Sequence, residues 1–208
     1  MTSPIKVAIF ASGGGSNAQS IITYSQQSTA FDVVCIITNK KTAGVLEKAR
    51  DNDIESVVFT RSSFYETNKV ISYLQDRSVE LIILAGFLWL IPENLVRSFE
   101  NRILNIHPSL LPKYGGKGMY GMHVHNAVKE NEECESGLTI HQVNSRYDEG
   151  GIIFQTRCQL NDSMGAEDIA RKVLRMEHFF YSRVIESIAK SIKIKQKKER
   201  TDWGADLP

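Results

Sequence analysis

Residues 5–17 read IKVAIFASGGGSN, and this stretch decides the fold. Its apolar, β-branched first half predicts a buried strand over Ile5–Phe10, and the three glycines lead into a helical pattern that begins at Ser16. Further strands are predicted at Phe31–Thr38, Glu55–Phe59, Val79–Leu84 and Arg102–Ile106. Helical patterns separate most of these runs, and such alternation is typical of a parallel sheet covered by helices.

The segments between and after these strands complete the predicted fold. Helices are expected at Ser16 to about Gln27, Ala43–Asp51, Ser62 to about Asp76 with Ser62 or Ser63 as N-cap, after Pro92, and from Ser163 onward. Two alternating runs, Gly137–Val143 and Gly151–Leu160, predict a strand pair, and residues 108–122 predict a long functional loop. We therefore expect an α/β fold: a Rossmann-like, mostly parallel twisted sheet with helices on both faces and an antiparallel C-terminal strand pair.

Length and composition limit the classes of protein that fit. The chain has 208 residues, a length that suits one domain, and its net charge is +1. We expect the domain at 1–190. A basic tail is expected at 191–208, where it ends a solvated helix and becomes disordered. The near-neutral charge argues against nucleic-acid binding, and no apolar run reaches the roughly 18 residues of a membrane span. Three cysteines without CxxC spacing fit a reducing, cytoplasmic location, and a homodimer is left open.

The glycine loop predicts a phosphate site. Glycines let the backbone approach a ligand closely, and the free N–H groups at the start of the following helix favour an anion. Gly13, Gly15 and Ala18 also match the dinucleotide pattern GxGxxG/A, but residues 38–41 supply no acid to hold a ribose. A simple phosphate is therefore favoured over NAD, with a tight turn that binds nothing as the alternative.

Asn105 and His107 are candidate catalytic residues. They lie two residues apart at the end of a predicted strand, where their side chains share a face and where open α/β sheets bind ligands. An amide beside an imidazole can stabilise negative charge on a carbonyl oxygen and move a proton. Asp148, in a glycine-containing turn, would raise the imidazole pKa if it came close. Taken alone, these features are more often structural.

Glu177 and three histidines are further candidate site residues. The apolar stripe of the last helix comprises Ile169, Val173, Met176, Phe180, Val184 and Ile188. Glu177 is expected at the edge of this stripe, where a carboxyl group either has a partner or lines a site. His123, His125 and His141 lack acidic residues at ligand spacing, so no metal site is expected.

Four motifs together resemble a known family. The loop SGGGSN, the strand end LAGF, the stretch NIHPSLLPK and the turn DEGG occur in the order found in the folate-dependent formyltransferases. The resemblance runs from about Ile5 to about Ile188. It implies an enzyme of purine biosynthesis that transfers the formyl group of 10-formyltetrahydrofolate, its co-substrate, to the glycinamide amine of 5'-phosphoribosylglycinamide, with no metal.

The resemblance also implies roles for individual residues. Asn105 and protonated His107 would stabilise the oxyanion, and Asp148 would keep His107 charged. Acceptor phosphate and ribose would be bound by Gly14, Gly15, Ser16, Asn17 and Glu177. The folate pocket would be formed by Leu88, Trp89, Leu90, Ile91, Asn105 and Val143.

Two departures from the family pattern and two rival functions remain. Many relatives carry Arg where this chain has Trp89, and the loop Tyr114–Met122 looks longer than usual. Family members that formylate a transfer RNA or hydrolyse the donor have an additional domain for which this chain has no room, so transfer to the small acceptor is expected. The alternatives are hydrolysis of 10-formyltetrahydrofolate and a non-catalytic nucleotide-binding regulator that uses the basic tail.

Overall fold

The computed structural model describes residues 3–204 of the backbone and the side chains of residues 3–198. The strands are β1 Ile5–Phe10, β2 Phe31–Thr38, β3 Glu55–Val58, β4 Leu81–Leu84, β5 Ile103–His107, β6 Glu135–Gln142 and β7 Ile152–Gln159. They form one seven-stranded sheet in the order β3-β2-β1-β4-β5-β6-β7. The pairs from β3 through β5 are parallel, whereas β5–β6 and β6–β7 are antiparallel. The predicted fold class is confirmed.

Helices cover both faces of this sheet. They are α1 Ser16–Ser25, α2 Val45–Asp51, α3 Arg61–Tyr65, α4 Lys69–Asp76, α5 Glu93–Ser98, α6 Met122–Glu130 and α7 Ala166–Gly204. Because side chains alternate along a strand, β1 contributes to two separate cores. Val7 and Ile9 pack with residues of α1, α2, α6 and α7, while Ala8 and Phe10 pack with residues of α3, α4 and α5.

The helix predicted from Ser62 to Asp76 is instead two helices, α3 and α4. The Thr67 hydroxyl donates to the Ser63 carbonyl oxygen at 2.8 Å, the acceptor that a continuing helix would offer to a backbone N–H. The predicted N-cap was also wrong, because the Thr60 side chain accepts from the Ser63 N–H at 3.3 Å. Side-chain hydrogen bonds of short polar residues therefore divide this segment.

The loop predicted at residues 108–122 is present, but the helix that follows it was missed. In α6, Val124 and Val128 are buried four residues apart and pack on the core that also contains α7. Strand β5 also extends one residue further than predicted, since His107 still pairs with Thr139 of β6. His107 is thereby fixed in the sheet rather than in the loop.

Helix α7 continues beyond the expected boundary at residue 190. Ile192 is buried, Lys193 Nζ donates to the Thr29 carbonyl oxygen at 2.9 Å, and Gln196 Nε2 donates to Glu80 Oε1 at 2.7 Å. The first part of the basic segment therefore packs on the body of the protein. The end of the predicted tail, residues 205–208, lies outside the described residues. Within residues 3–204, none of the helices has the length and apolar character of a membrane span.

Candidate active site

A cavity of about 710 Å³ lies at the carboxyl ends of β1, β4 and β5, where ligands bind in open α/β sheets. The predicted site residues that line it are Asn17, Leu88, Trp89, Leu90, Ile91, Asn105, His107, Val143, Asp148 and Glu177. Three predicted phosphate-loop residues, Gly14, Gly15 and Ser16, do not line it. Gly14 and Ser16 are exposed beside the cavity-lining Gly13 and Asn17. The structure thus gathers most of the predicted residues around one space.

The glycine loop adopts a conformation that only glycine accepts without strain. Gly15 has φ +78°, and a Cβ atom there would lie 2.9 Å from Cβ of Val45. Helix α1 begins at the next residue and has no side-chain cap at its N-terminus. Its first-turn N–H groups therefore remain available for an anion, as the sequence predicts.

Asn105, His107 and Asp148 come together at the end of β5. His107 Nδ1 lies 3.6 Å from Asp148 Oδ2, and Asn105 Nδ2 lies 3.4 Å from Asp148 Oδ1. The Gly116 N–H donates to Asp148 Oδ2 at 2.9 Å. Asp148 has φ +56°, a conformation that non-glycine residues adopt mainly where the surrounding structure imposes it. The carboxylate is therefore held in place by the loops on both sides.

His107 does not have the raised pKa that the sequence led us to expect. Burial lowers the pKa of His107 below its usual value, and this effect outweighs the opposing influence of Asp148 and of the Tyr114 carbonyl. His107 is only 4% exposed, so its charged form loses most of its hydration. Nε2 lies 2.7 Å from the Tyr114 carbonyl oxygen, and we assign this nitrogen as the N–H donor.

Asp148 has a lowered pKa. Burial by itself would raise the pKa of this carboxyl group, but the His141 imidazole 3.5 Å away, the nearby His107 and the Gly116 N–H together hold it below its usual value. Hydrogen bonds to the ionised form of an acid stabilise that form. The site therefore contains a carboxylate next to an imidazole at neutral pH.

Glu177 lies at the centre of the buried stripe of α7, not at its edge. Glu177 is 7% exposed and lies midway between the fully buried Ile169 and Val173 before it and the fully buried Tyr181 and Ile185 after it. Burial raises the pKa of Glu177 to about 7, although a hydrogen bond from Asn17 Nδ2 at 2.6 Å opposes the rise. Asn17 Oδ1 is buried without a hydrogen-bond partner among the described residues. Asn17 and Glu177 thus offer polar groups to a ligand.

Sequence reasoning missed His141 as a site residue. It is 2% exposed, its Nδ1 donates to the Gln142 carbonyl oxygen at 2.7 Å, and its Nε2 lies 3.0 Å from Asn105 Nδ2 and 3.5 Å from Asp148 Oδ1. The only signal was its place in a predicted strand, because the register that pairs it with Asn105 is not readable from the sequence. Lys40, which lines the cavity with Gly13, was also missed.

The histidines do not gather into a metal centre in the part of the chain that the structure describes, where no group of three or more His, Cys, Asp or Glu residues is arranged to hold an ion. His125 lines the cavity on α6, and burial lowers its pKa to about 4. It is therefore a neutral imidazole at physiological pH.

The fold and the cavity define an α/β enzyme of the group-transfer class, with an amide, an imidazole and a carboxylate on a Rossmann-like sheet beside an anion-binding glycine loop. The formyl transferase family matches residues 5–185. The chain belongs to this family, which confirms the resemblance seen in its motifs.

Individual relatives point in the same direction. The chain is 42% identical over 207 residues to the chloroplastic phosphoribosylglycinamide formyltransferase of Arabidopsis thaliana, covering 97% of this chain and 68% of the relative. It is 32% identical to the Bacillus subtilis phosphoribosylglycinamide formyltransferase, covering 88% of this chain and 94% of that protein. The crystal structure of the Brucella melitensis phosphoribosylglycinamide formyltransferase superposes with a TM-score of 0.80 at 32% identity, covering 90% and 96% of the two chains.

Proposed function

We propose that the protein transfers the formyl group of 10-formyltetrahydrofolate, the donor used by its family, to the glycinamide amine of 5'-phosphoribosylglycinamide in purine biosynthesis. The observation that carries this proposal is that Asn105, His107 and Asp148 line the same cavity as Gly13 and Asn17 of the glycine loop and as Glu177. A phosphorylated acceptor would therefore extend from the exposed Gly14 and Ser16 beside the cavity to the catalytic cluster. The similarity to phosphoribosylglycinamide formyltransferases supports the choice of acceptor.

The acceptor would bind through its two polar ends. Its phosphate would accept hydrogen bonds from the backbone at Gly14, Gly15, Ser16 and Asn17, where the dipole of α1 adds attraction. Its ribose hydroxyls would meet Glu177 and Asn17, which both line the cavity. Since the pKa of Glu177 is about 7, its carboxyl group is partly protonated at neutral pH and both donates and accepts hydrogen bonds.

The folate would bind along the wall formed by Leu88, Trp89, Leu90 and Ile91, together with Val143, which also lines the cavity. These side chains offer an apolar surface to the rings, and the backbone N–H and C=O groups of the same segment offer polar partners. Because backbone groups make these polar contacts, the presence of Trp89 in place of the usual Arg leaves them intact.

In the transfer step the amine nitrogen bonds to the formyl carbon, and the carbonyl oxygen becomes an oxyanion. We assign Asn105 Nδ2 and a His107 N–H as donors to this oxyanion. The oxyanion would replace the Tyr114 carbonyl as the acceptor of the His107 N–H. The intermediate then breaks its bond to the folate nitrogen. The amine loses one proton and the departing nitrogen gains one, and His107 with Asp148 is the titratable pair placed to relay it.

One assay tests this function. The protein is mixed with 5'-phosphoribosylglycinamide and 10-formyltetrahydrofolate, and the free folate is followed by absorbance while the formylated acceptor is identified by mass. We expect stoichiometric formation of both products. Release of formate when 5'-phosphoribosylglycinamide is left out would favour the hydrolase alternative. Nucleotide binding without turnover would favour the non-catalytic regulator. Either result contradicts the proposal.

Three further proposals concern the location, the oligomeric state and the domain bounds of the protein. We infer a cytoplasmic location, which cell fractionation tests, although the similar Arabidopsis protein is chloroplastic. A homodimer is the alternative to a monomer, and sedimentation velocity at micromolar concentration distinguishes the two. The division into a domain at 1–190 and a tail at 191–208 is tested by truncation after residue 190, which removes the Lys193 and Gln196 contacts.

A further inference from the structure

A cation lies on aromatic rings next to the wall of the cavity. The Arg61 guanidinium carbon is 5.1 Å from the ring centroid of Tyr65 and 5.9 Å from that of Trp89. The two rings are 5.7 Å apart. We call these three residues the Arg61 ledge. Distances within about 6 Å of a ring centroid give an attractive cation–π contact, so the rings hold the guanidinium in position.

The ledge is joined to the cavity wall. Trp89 and Leu90 line the cavity, and the Tyr65 hydroxyl donates to the Leu90 carbonyl oxygen at 3.0 Å. Tyr147, which also lines the cavity, is close enough to Tyr65 to affect its ionisation. Arg61 therefore stands beside the cavity on a support that is itself part of the wall.

Arg61 also has no charge partner among the side chains that the structure describes. Among the described side chains, no carboxylate oxygen lies within 4.0 Å of its guanidinium, whereas Arg146, a basic residue that lines the cavity, is paired with Glu149 at 3.1 Å. The planar guanidinium of Arg61 has five N–H donors, so it binds a carboxylate in a more defined geometry than the ammonium group of a lysine would. A fixed cation without an acid beside it, next to an apolar wall, is a binding feature for an anionic ligand.

The donor of the proposed reaction carries its negative charge at one end. Its formyl nitrogen joins the pterin to an aminobenzoyl ring, and a glutamate with two carboxylates follows that ring. We propose that the Arg61 ledge binds the glutamate tail of the formyl donor, with Arg61 donating to a tail carboxylate. This inference rests on the proposed function. It makes Arg61 a residue that determines donor specificity and that takes no part in the transfer step.

The test compares two donors on the variant Arg61→Gln. With the glutamate-bearing donor, we expect KM to rise about 3- to 10-fold, the size of one charge-assisted hydrogen bond at a partly exposed site, with kcat unchanged. With a donor whose glutamate is replaced by a neutral benzamide, the variant and the wild type should have the same KM. Added salt should weaken binding of the glutamate-bearing donor to the wild type only.

Controls separate this role from a general effect. Arg97→Gln removes another exposed charge, which pairs with Glu93, and it should change neither KM. Arg61→Lys should restore part of the affinity, because it retains the charge but not the planar donors. Thermal melting checks that each variant is folded.

Binding of both donors measured by calorimetry keeps the test independent of turnover. Equal effects of Arg61→Gln on the two donors, or no effect on either, would overturn the role of Arg61. Absence of formyl transfer by the wild type, with selective binding of the glutamate-bearing donor retained, would instead contradict the proposed function alone.

Discussion

Replacing Glu177 by glutamine should change how stability depends on pH. Glu177 has a pKa of about 7 in the folded protein, against an ordinary value of 4.5, because burial disfavours its charged form. The folded state therefore holds a proton between pH 4.5 and 7 that the unfolded state releases. This raised pKa makes the wild type lose stability as pH rises through that window, and a neutral glutamine of the same shape does not lose it.

The magnitude follows from the shift. A difference of about 2.5 pKa units corresponds to about 3 kcal/mol once pH exceeds the folded pKa, at about 1.4 kcal/mol per unit. At pH 5.5 only about 1 kcal/mol of this cost is present. Between pH 5.5 and pH 8, the free energy of unfolding of Glu177→Gln relative to that of the wild type should therefore rise by about 2 kcal/mol. Because Glu177 is only 7% exposed, solvent screening reduces this value little.

Urea unfolding of both proteins at pH 5.5, 6.5, 7.5 and 8 measures this difference. Any constant offset caused by the new side chain cancels, since only the change with pH is compared. The control Glu47→Gln removes an exposed carboxylate on α2 and reports the effect of losing one surface charge. A Glu177→Gln difference that stays constant with pH, or that changes no more than the control, would refute the reasoning that burial dominates the ionisation of Glu177.

Three further predictions concern the catalytic cluster and its support. Asp148→Asn removes the charge that raises the His107 pKa, so kcat should fall at least about tenfold and most strongly at high pH; an unchanged pH–kcat profile would count against this role. His141→Ala should lower kcat with little change in KM, and His141→Gln should recover part of the loss by again giving Asn105 an acceptor; equal kinetics of the two variants would contradict a positioning role. Gly150→Ala places a Cβ atom 1.7 Å from the Gln142 carbonyl oxygen, so urea unfolding should show a loss of about 2 kcal/mol, whereas Gly13→Ala, with nothing within 4 Å, should change stability by less than about 0.5 kcal/mol.

The parts of the fold that the sequence predicted well are those governed by strong local patterns. The β-branched runs at Ile5–Phe10 and Phe31–Thr38 match the strands residue for residue, since almost every side chain in a central parallel strand is buried. The break between α3 and α4 was not predicted, because it depends on which carbonyl the Thr67 hydroxyl selects. Helix α6 was missed because Gly121 and its neighbours obscured a short apolar repeat that tertiary packing stabilises.

In the candidate site, the sequence predicted which residues take part but not how deeply they are buried or which residues lie beside them. Residue types and motif order placed Asn105, His107 and Asp148 in one site, and the structure brings them together. The sign of the His107 pKa shift was wrong because it depends on how completely the loops cover the ring, which no local pattern reveals. His141 was missed because its position beside Asn105 arises from antiparallel pairing of distant strands. Burial and strand register are thus the quantities that the sequence leaves open.

The central claim is that His107 acts on the formyl group within this cavity, and the rate of transfer by His107→Ala tests it most directly. Purified variant and wild type are compared at saturating 5'-phosphoribosylglycinamide and 10-formyltetrahydrofolate, after their folds have been matched by circular dichroism. The account predicts that kcat falls about 10²- to 10³-fold, the typical loss of one oxyanion donor. A variant that retains more than about a tenth of the wild-type kcat, far above that expectation, would contradict it.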